Sequence, residues 1–247
     1  MFSELDNPEN ISQLRSTLDK KRGLRAIYRE VYDRYSNCLS RSTKDGLALE
    51  LGSGGGFAKE VLPELVTSDV LPYSGVDTVV DATAMPYSAN SLRMICMFNV
   101  LHHVRDAEAF FREALRCLKP GGRICITDQY PGLWSKLILK YAHYEHFDDQ
   151  VNEWKFESSG PLSSANGALP WIIFFRDREK FESLFPELKI DRIELHTPLR
   201  YWLSGGLKKW SLLPEQTFSV ASLLDEGLIK LSGNTASFFT LELVKNL

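Results

Sequence analysis

Between the short apolar run Leu47 to Leu51 and the segment Phe57 to Leu62 lies the string Glu50-Leu51-Gly52-Ser53-Gly54-Gly55-Gly56. Glycines at a strand-to-helix turn let the backbone bend sharply and let a ligand approach with no Cβ in the way. A dinucleotide fingerprint needs G-x-G-x-x-G, but Phe57 or Lys59 stands where the third glycine would fall. A phosphate-binding P-loop needs Gly-Lys-Ser/Thr, which is absent. The pattern is acid-x-Gly-x-Gly-x-Gly instead. Farther on, Asp69 ends a second apolar run. A carboxylate there can take two charge-assisted hydrogen bonds from a ribose diol.

Other polar groups stand at the ends of apolar runs. Asp81-Ala82 follows a weak third run, Asn99 to His103 follows a fourth, and Asp128 ends a fifth. His103, Asp128, His143 and His146 could each take a proton from a hydroxyl acceptor. His143-Tyr144-Glu145-His146 could suggest a metal, since positions three apart share a helix face. The HExxH zinc signature is absent and no third ligand has a fixed spacing, so no metal is expected. Cys38, Cys96, Cys117 and Cys125 form no CxxC pair and read as buried thiols.

These groups need a scaffold of alternating strands and helices. Residues 10–41 carry a helical apolar period with Gly23 as a break. Strands are expected at 47–51, 65–69, 76–80, 93–98 and 123–128, with a short helix at 57–62. Asp106 should cap a helix at 107–118, and Lys119-Pro120-Gly121-Gly122 should form its C-cap and turn. A helix at 177–185, a strand at 189–196, a partly helical stretch at 212–231 and a last strand at 236–244 complete the chain. The expected fold is α/β, Rossmann-like and doubly wound. Its sheet is mostly parallel with an antiparallel final strand, helices on both faces and a lid insertion. A parallel crossover needs about a dozen residues or more, yet only 70–75 separate the second and third strands. The pairing of the third strand is therefore open.

The series ELGSGGG, SD, DATAMPY and FNVLHHVRDAEAFFREALRCLKPGGRI, over residues 47–130, resembles class I S-adenosylmethionine-dependent methyltransferases, and most of all the branch acting on small molecules. The resemblance implies that Glu50, Gly52, Ser53, Gly54 and Gly56 flank the amino-acid end of S-adenosylmethionine. Asp69 would hold the ribose, Asp81 and Ala82 the adenine, and Asn99 to Leu101 the methionine moiety. It implies methyl transfer to a small-molecule acceptor, an oxygen slightly favoured, with S-adenosylhomocysteine as product. Two rivals remain: a nicotinamide-dependent oxidoreductase, and a methyltransferase-like binding subunit without turnover.

One domain over 1–247 is expected. It comprises a helical cap (1–45), a cofactor-binding core (46–129), a lid (130–176) and a part completing the sheet (177–247). The lid, with the N-terminal helix, is expected to be a mobile cover, with a turn-rich run from Ser158 to Gly167. The 247 residues are 44% hydrophobic and 25% charged with net charge −3, which favours neither nucleic acid nor an anionic membrane as partner. The acidic, polar first ten residues lack a signal peptide's pattern, no apolar stretch is long enough to span a membrane, and a cytoplasmic setting is expected.

Overall fold

The structure is a computed structural model that describes residues 10–157, 160 and 164–246. The first nine residues and most of the run from Ser158 to Ser163, both drawn on above, lie outside the described residues. The helices are α1 (Asn10–Lys20), α2 (Arg22–Ser40), α3 (Ala107–Cys117), α4 (Ser135–Tyr141), α5 (Leu169–Trp171), α6 (Arg178–Leu184), α7 (Arg200–Ser204) and α8 (Phe218–Leu231). The strands are β1 (Leu47–Leu51), β2 (Leu65–Asp69), β3 (Thr78–Val79), β4 (Leu92–Phe98), β5 (Leu118–Gln129), β6 (Leu188–His196) and β7 (Phe238–Lys245).

One seven-stranded sheet runs in the order β3-β2-β1-β4-β5-β7-β6. Its β1–β5 pairings are parallel, and β7 is antiparallel to both β5 and β6. Strand order reverses between β1 and β4, so the ends of those two strands leave a crevice where ligands of such sheets bind. The sheet is covered on both faces, which is why its strands read as apolar runs rather than as alternating ones. On one face Tyr28, Val31, Tyr32, Tyr35 and Cys38 of α2 pack on Ala48, Met94, Cys96 and Cys125. On the other, Phe110, Phe111 and Ala114 of α3 meet Leu49, Ile95, Met97, Ile124 and Ile126. The four cysteines are free and buried, as their apolar settings suggested.

Several local expectations change. The break in the first helical stretch is at Lys21, not Gly23. At the break, the Lys21 ammonium reaches the carbonyls of Ser204, Gly206 and Trp210. The segment 57–62 makes only a 3₁₀ turn at Ala58–Glu60. Asp106 caps α3 as expected, accepting from the Ala109 amide at 2.8 Å. Lys119 to Gly122 does not form a separate turn: β5 begins at Leu118, and the segment is a bulge where the β4–β5 register jumps. Gly121 meets the bulge with φ of 74°.

β3 is reduced to two residues at the sheet edge and pairs parallel with β2 without a crossover helix. Asp77 ties the short connection down: its carboxylate accepts from the Thr67 amide at 2.9 Å and from the Lys59 ammonium at 2.8 Å. The expected lid also divides. Trp154, Ala168, Leu169 and the π-helical turn Ile172–Arg176, through Ile172, Ile173 and Phe174, belong to the core beside α3 and β5. No helix among the described residues is long and apolar enough to cross a membrane.

Candidate functional site

A cavity of about 1280 Å³ opens at the β1/β4 reversal. Among its lining residues are Glu50, Gly52, Ser53, Gly54, Gly56, Asp69, Asp81, Ala82 and Asn99, all picked out from sequence. It also holds His102, His103, His143 and Glu145, with Tyr28, Tyr201 and Trp202 as aromatic walls. Pockets for one small ligand run to about 300–1,000 Å³, so this one has room for two molecules.

The glycine loop is shaped for close approach. Gly52 has φ of 67°, and a Cβ there would collide with Val100. Gly54 has φ of 48°, and a Cβ on it would meet nothing within 4 Å. A side chain there would project into space that the loop leaves open to a ligand. α1 lies against the same loop: a Cβ on Gly55 would stand 2.7 Å from the Arg15 amide nitrogen, and the Arg15 guanidinium donates to the Gly56 carbonyl.

Glu50 is buried, and Ser53 Oγ donates to its Oε2 at 2.7 Å. Burial, with a smaller effect from the Asp69 charge, pushes the Glu50 carboxyl up to about 7. Asp69 Oδ2 accepts from the Gly54 amide at 3.1 Å and from the Tyr73 hydroxyl at 3.3 Å, which joins the end of β2 to the loop after β1. Asp81 Oδ1 accepts from the Thr83 amide and hydroxyl at 2.8 and 2.7 Å. Arg105 is its long-range partner, 3.8 Å from Oδ2. Asn99 sits at φ of 55°, rare for a side-chain-bearing residue, and its Oδ1 is buried with no hydrogen-bond partner among the described residues. An orphan acceptor and an open glycine cradle side by side fit the amino-acid end of a nucleoside such as S-adenosylmethionine.

Leu101 departs from expectation: its side chain enters the core, and Val100 lines the cavity instead. Asp128 is fully buried behind His102 and does not line the cavity. It accepts from His102 Nδ1 at 2.6 Å, so it can act only through that ring. His146 does not line the cavity either.

Sequence reasoning missed the residue that gathers the remaining groups. Glu145, noticed only inside the His-Tyr-Glu-His run, has Oε2 3.4 Å from His102 Nε2 and 3.5 Å from His143 Nδ1, and Oε1 3.6 Å from His103 Nε2. Its carboxyl is held well below the usual carboxylate range: these imidazoles outweigh the opposing effect of burial. His102, despite full burial, is raised to about 10 by Asp128 and Glu145. His103 is lowered to about 4 by burial and the neighbouring His102. The signal available beforehand was the pair of His-containing runs; their meeting in space is tertiary.

A family model described as "Methyltransferase domain" matches residues 49–126. This part of the chain, under half of its length, is similar to a methyltransferase domain. Over 72 residues the chain is 32% identical to phosphoethanolamine N-methyltransferase 1 of Triticum aestivum, a match covering 28% of this chain and 14% of the wheat protein. Among solved structures, it aligns with an S-adenosylmethionine-dependent methyltransferase of Mesorhizobium loti at 13% identity and TM-score 0.48, covering 85% of this chain and 97% of that one. It also aligns with phosphoethanolamine N-methyltransferase 2 of Haemonchus contortus, in complex with S-adenosyl-L-methionine, at 15% identity and TM-score 0.43, covering 86% and 53%. The methyltransferase match takes in the glycine loop, Asp69, Asp81 and the histidine pair, but not Glu145 or the rest of the cover.

Proposed function

We propose that this protein moves a methyl group from S-adenosylmethionine to an oxygen of a polar small molecule held beside Glu145. The observation that carries this reading is the single cavity joining the Gly54–Asp69–Asp81 cradle to the Glu145–histidine cluster. S-adenosylmethionine supplies the methyl group on a sulfonium, already a good leaving group. The chain's task is to hold both molecules in line and keep water out. Glu50, Ser53, Gly54 and Asn99 take the amino-acid end, Asp69 the ribose hydroxyls, and Asp81 with Ala82 the adenine edge. Tyr28, Tyr201 and Trp202 enclose the acceptor, and the Glu145 cluster meets its polar group.

A nitrogen acceptor is the second reading. It is supported by the segment shared with the wheat N-methyltransferase and by an anionic Glu145 near aromatic rings, which suits a cationic amine. Calorimetry with S-adenosylhomocysteine and with NAD tests the cofactor. Binding of the first and not the second is expected, and Gly54→Val should lose it while the chain still unfolds cooperatively. NAD binding alone would make the chain an oxidoreductase. Turnover is followed by mass spectrometry with hydroxyl-bearing and amine-bearing acceptors. Cofactor binding with no product from any of them would leave an inert binding subunit.

A further inference from the structure

We propose that His102, His103 and Glu145 form a binding site for one divalent first-row transition-metal ion, with one face of the ion open to the cavity. These three residues each offer a ligand atom, all within 4.8 Å of one another. For the ion's role, though not for its binding, the proposal rests on the methyl-transfer reading.

The rings are already oriented for coordination, and His102 gives up its Nε2 proton when an ion binds. His103 Nδ1 lies 3.0 Å from the Ser164 carbonyl oxygen, which can only accept, so Nδ1 carries the hydrogen and Nε2 points at Glu145 with its lone pair. His102 Nδ1 likewise faces the Asp128 carboxylate at 2.6 Å, and its Nε2 also faces Glu145. A metal-binding imidazole is oriented in this way, by giving its other N–H to a carboxylate or a backbone carbonyl.

The spacing points the same way. At 3.4 Å from His102 to Glu145 Oε2 and 3.6 Å from His103 to Glu145 Oε1, the two Nε2 distances are long for hydrogen bonds, and the carboxylate presents one oxygen to each ring. Two ligands of a tetrahedral ion with bonds of about 2.1 Å stand about 3.4 Å apart. Glu145 Oε2 is buried and makes no hydrogen bond among the described residues. Two imidazoles and one carboxylate with an open side are the donor set of a hydrolytic zinc centre. The histidine pair and Glu145 come from distant parts of the chain, so no spacing motif could have disclosed them. An acceptor hydroxyl that coordinates the ion gives its proton to water more readily, which supplies the nucleophile an oxygen methylation needs.

The test uses the full chain stripped with a chelator. Zn²⁺ affinity is measured by competition with a chromophoric chelator, the visible spectrum of the Co²⁺ form is recorded, and S-adenosylhomocysteine is titrated into the same samples. One ion per chain is expected, with a tetrahedral Co²⁺ spectrum. Glu145→Gln and His103→Asn should each weaken Zn²⁺ at least tenfold, and Asp128→Asn, which meets His102 at Nδ1 on the side away from the ion, by about 10–100-fold. Glu145→Gln should still bind S-adenosylhomocysteine, which shows that it is folded. A wild-type chain that takes up no stoichiometric ion, or a Glu145→Gln variant that binds Zn²⁺ as tightly as wild type, overturns the site. S-adenosylhomocysteine binding without metal uptake removes the metal and leaves the methyl-transfer reading standing. Loss of S-adenosylhomocysteine binding in wild type removes that reading independently.

Discussion

Glu50 carries a proton question that a ligand would settle. Its folded carboxyl sits at about 7 against an ordinary value of 4.5, so between those values the folded chain holds a proton that the unfolded chain has released. This contribution to stability is fully present below pH 4.5 and is lost as the pH rises through 7. An ammonium placed beside Glu50 favours the carboxylate and pulls the value back down. Binding of S-adenosylhomocysteine near pH 6 should therefore release a proton, seen as binding enthalpies that differ between buffers of unlike ionisation heat. Equal enthalpies in both buffers would take Glu50 away from the amino-acid end. Asp69, whose carboxyl is raised by burial, is already held by the Gly54 amide and the Tyr73 hydroxyl. Asp69→Ala should weaken S-adenosylhomocysteine by about 1.5–3 kcal/mol, the scale of hydrogen bonds to a charged group. A titration showing a much smaller loss would move ribose recognition elsewhere.

At the level of elements, the cover is narrower than the whole stretch 130–176. α4 is mostly outside the core, with Leu137 and Tyr141 exposed, while Ile138, Ala142 and Glu145 line the cavity. The later part is pinned by Trp154, whose indole donates to Asp177 at 3.0 Å, and by the buried Ile172 to Phe174. Few buried contacts hold the first part, so it belongs to the low-stability end of the structure. Hydrogen exchange should be fast over α4 and 142–145 in the free protein and slow once cofactor product and acceptor bind. The amides of 172–176 should be protected throughout. Full protection of α4 without ligand would mean a fixed wall rather than a cover.

Over the whole molecule, Arg200 joins the first helices to the last. Its buried guanidinium donates to Asp225 of α8 at 2.8 Å and to both carboxylate oxygens of Glu30 on α2 at 2.7 and 3.0 Å. Asp225, itself buried, also accepts from the Leu199 amide at 2.8 Å. Arg200→Met strands that carboxylate and should cost about 3–5 kcal/mol in urea unfolding, the scale for breaking a buried ion pair. Glu30→Gln, on the more exposed side of the pair, should cost far less. Equal losses would mean that Arg200 works through Glu30 rather than Asp225.

The sequence by itself determined what local chemistry dictates. Turn glycines between an apolar run and a short helical segment located the loop at Gly52 to Gly56. An acid at each strand end located Asp69 and Asp81, and Asp106 announced the cap of α3, because each needs only its own neighbours along the chain. The family resemblance added the meaning of their order. What needed partners far away in sequence was decided by the tertiary structure. The first helical stretch breaks at Lys21, whose ammonium binds carbonyls near residue 205. Lys119 to Gly122 became a bulge because β4 offered a ladder to pair with. Leu101 turned into the core because Val100 took the cavity side. Glu145 met His102 and His103 only because the cover folds back over the end of β4. Packing brings such groups within a few ångströms, and periodicity along the chain holds no record of it.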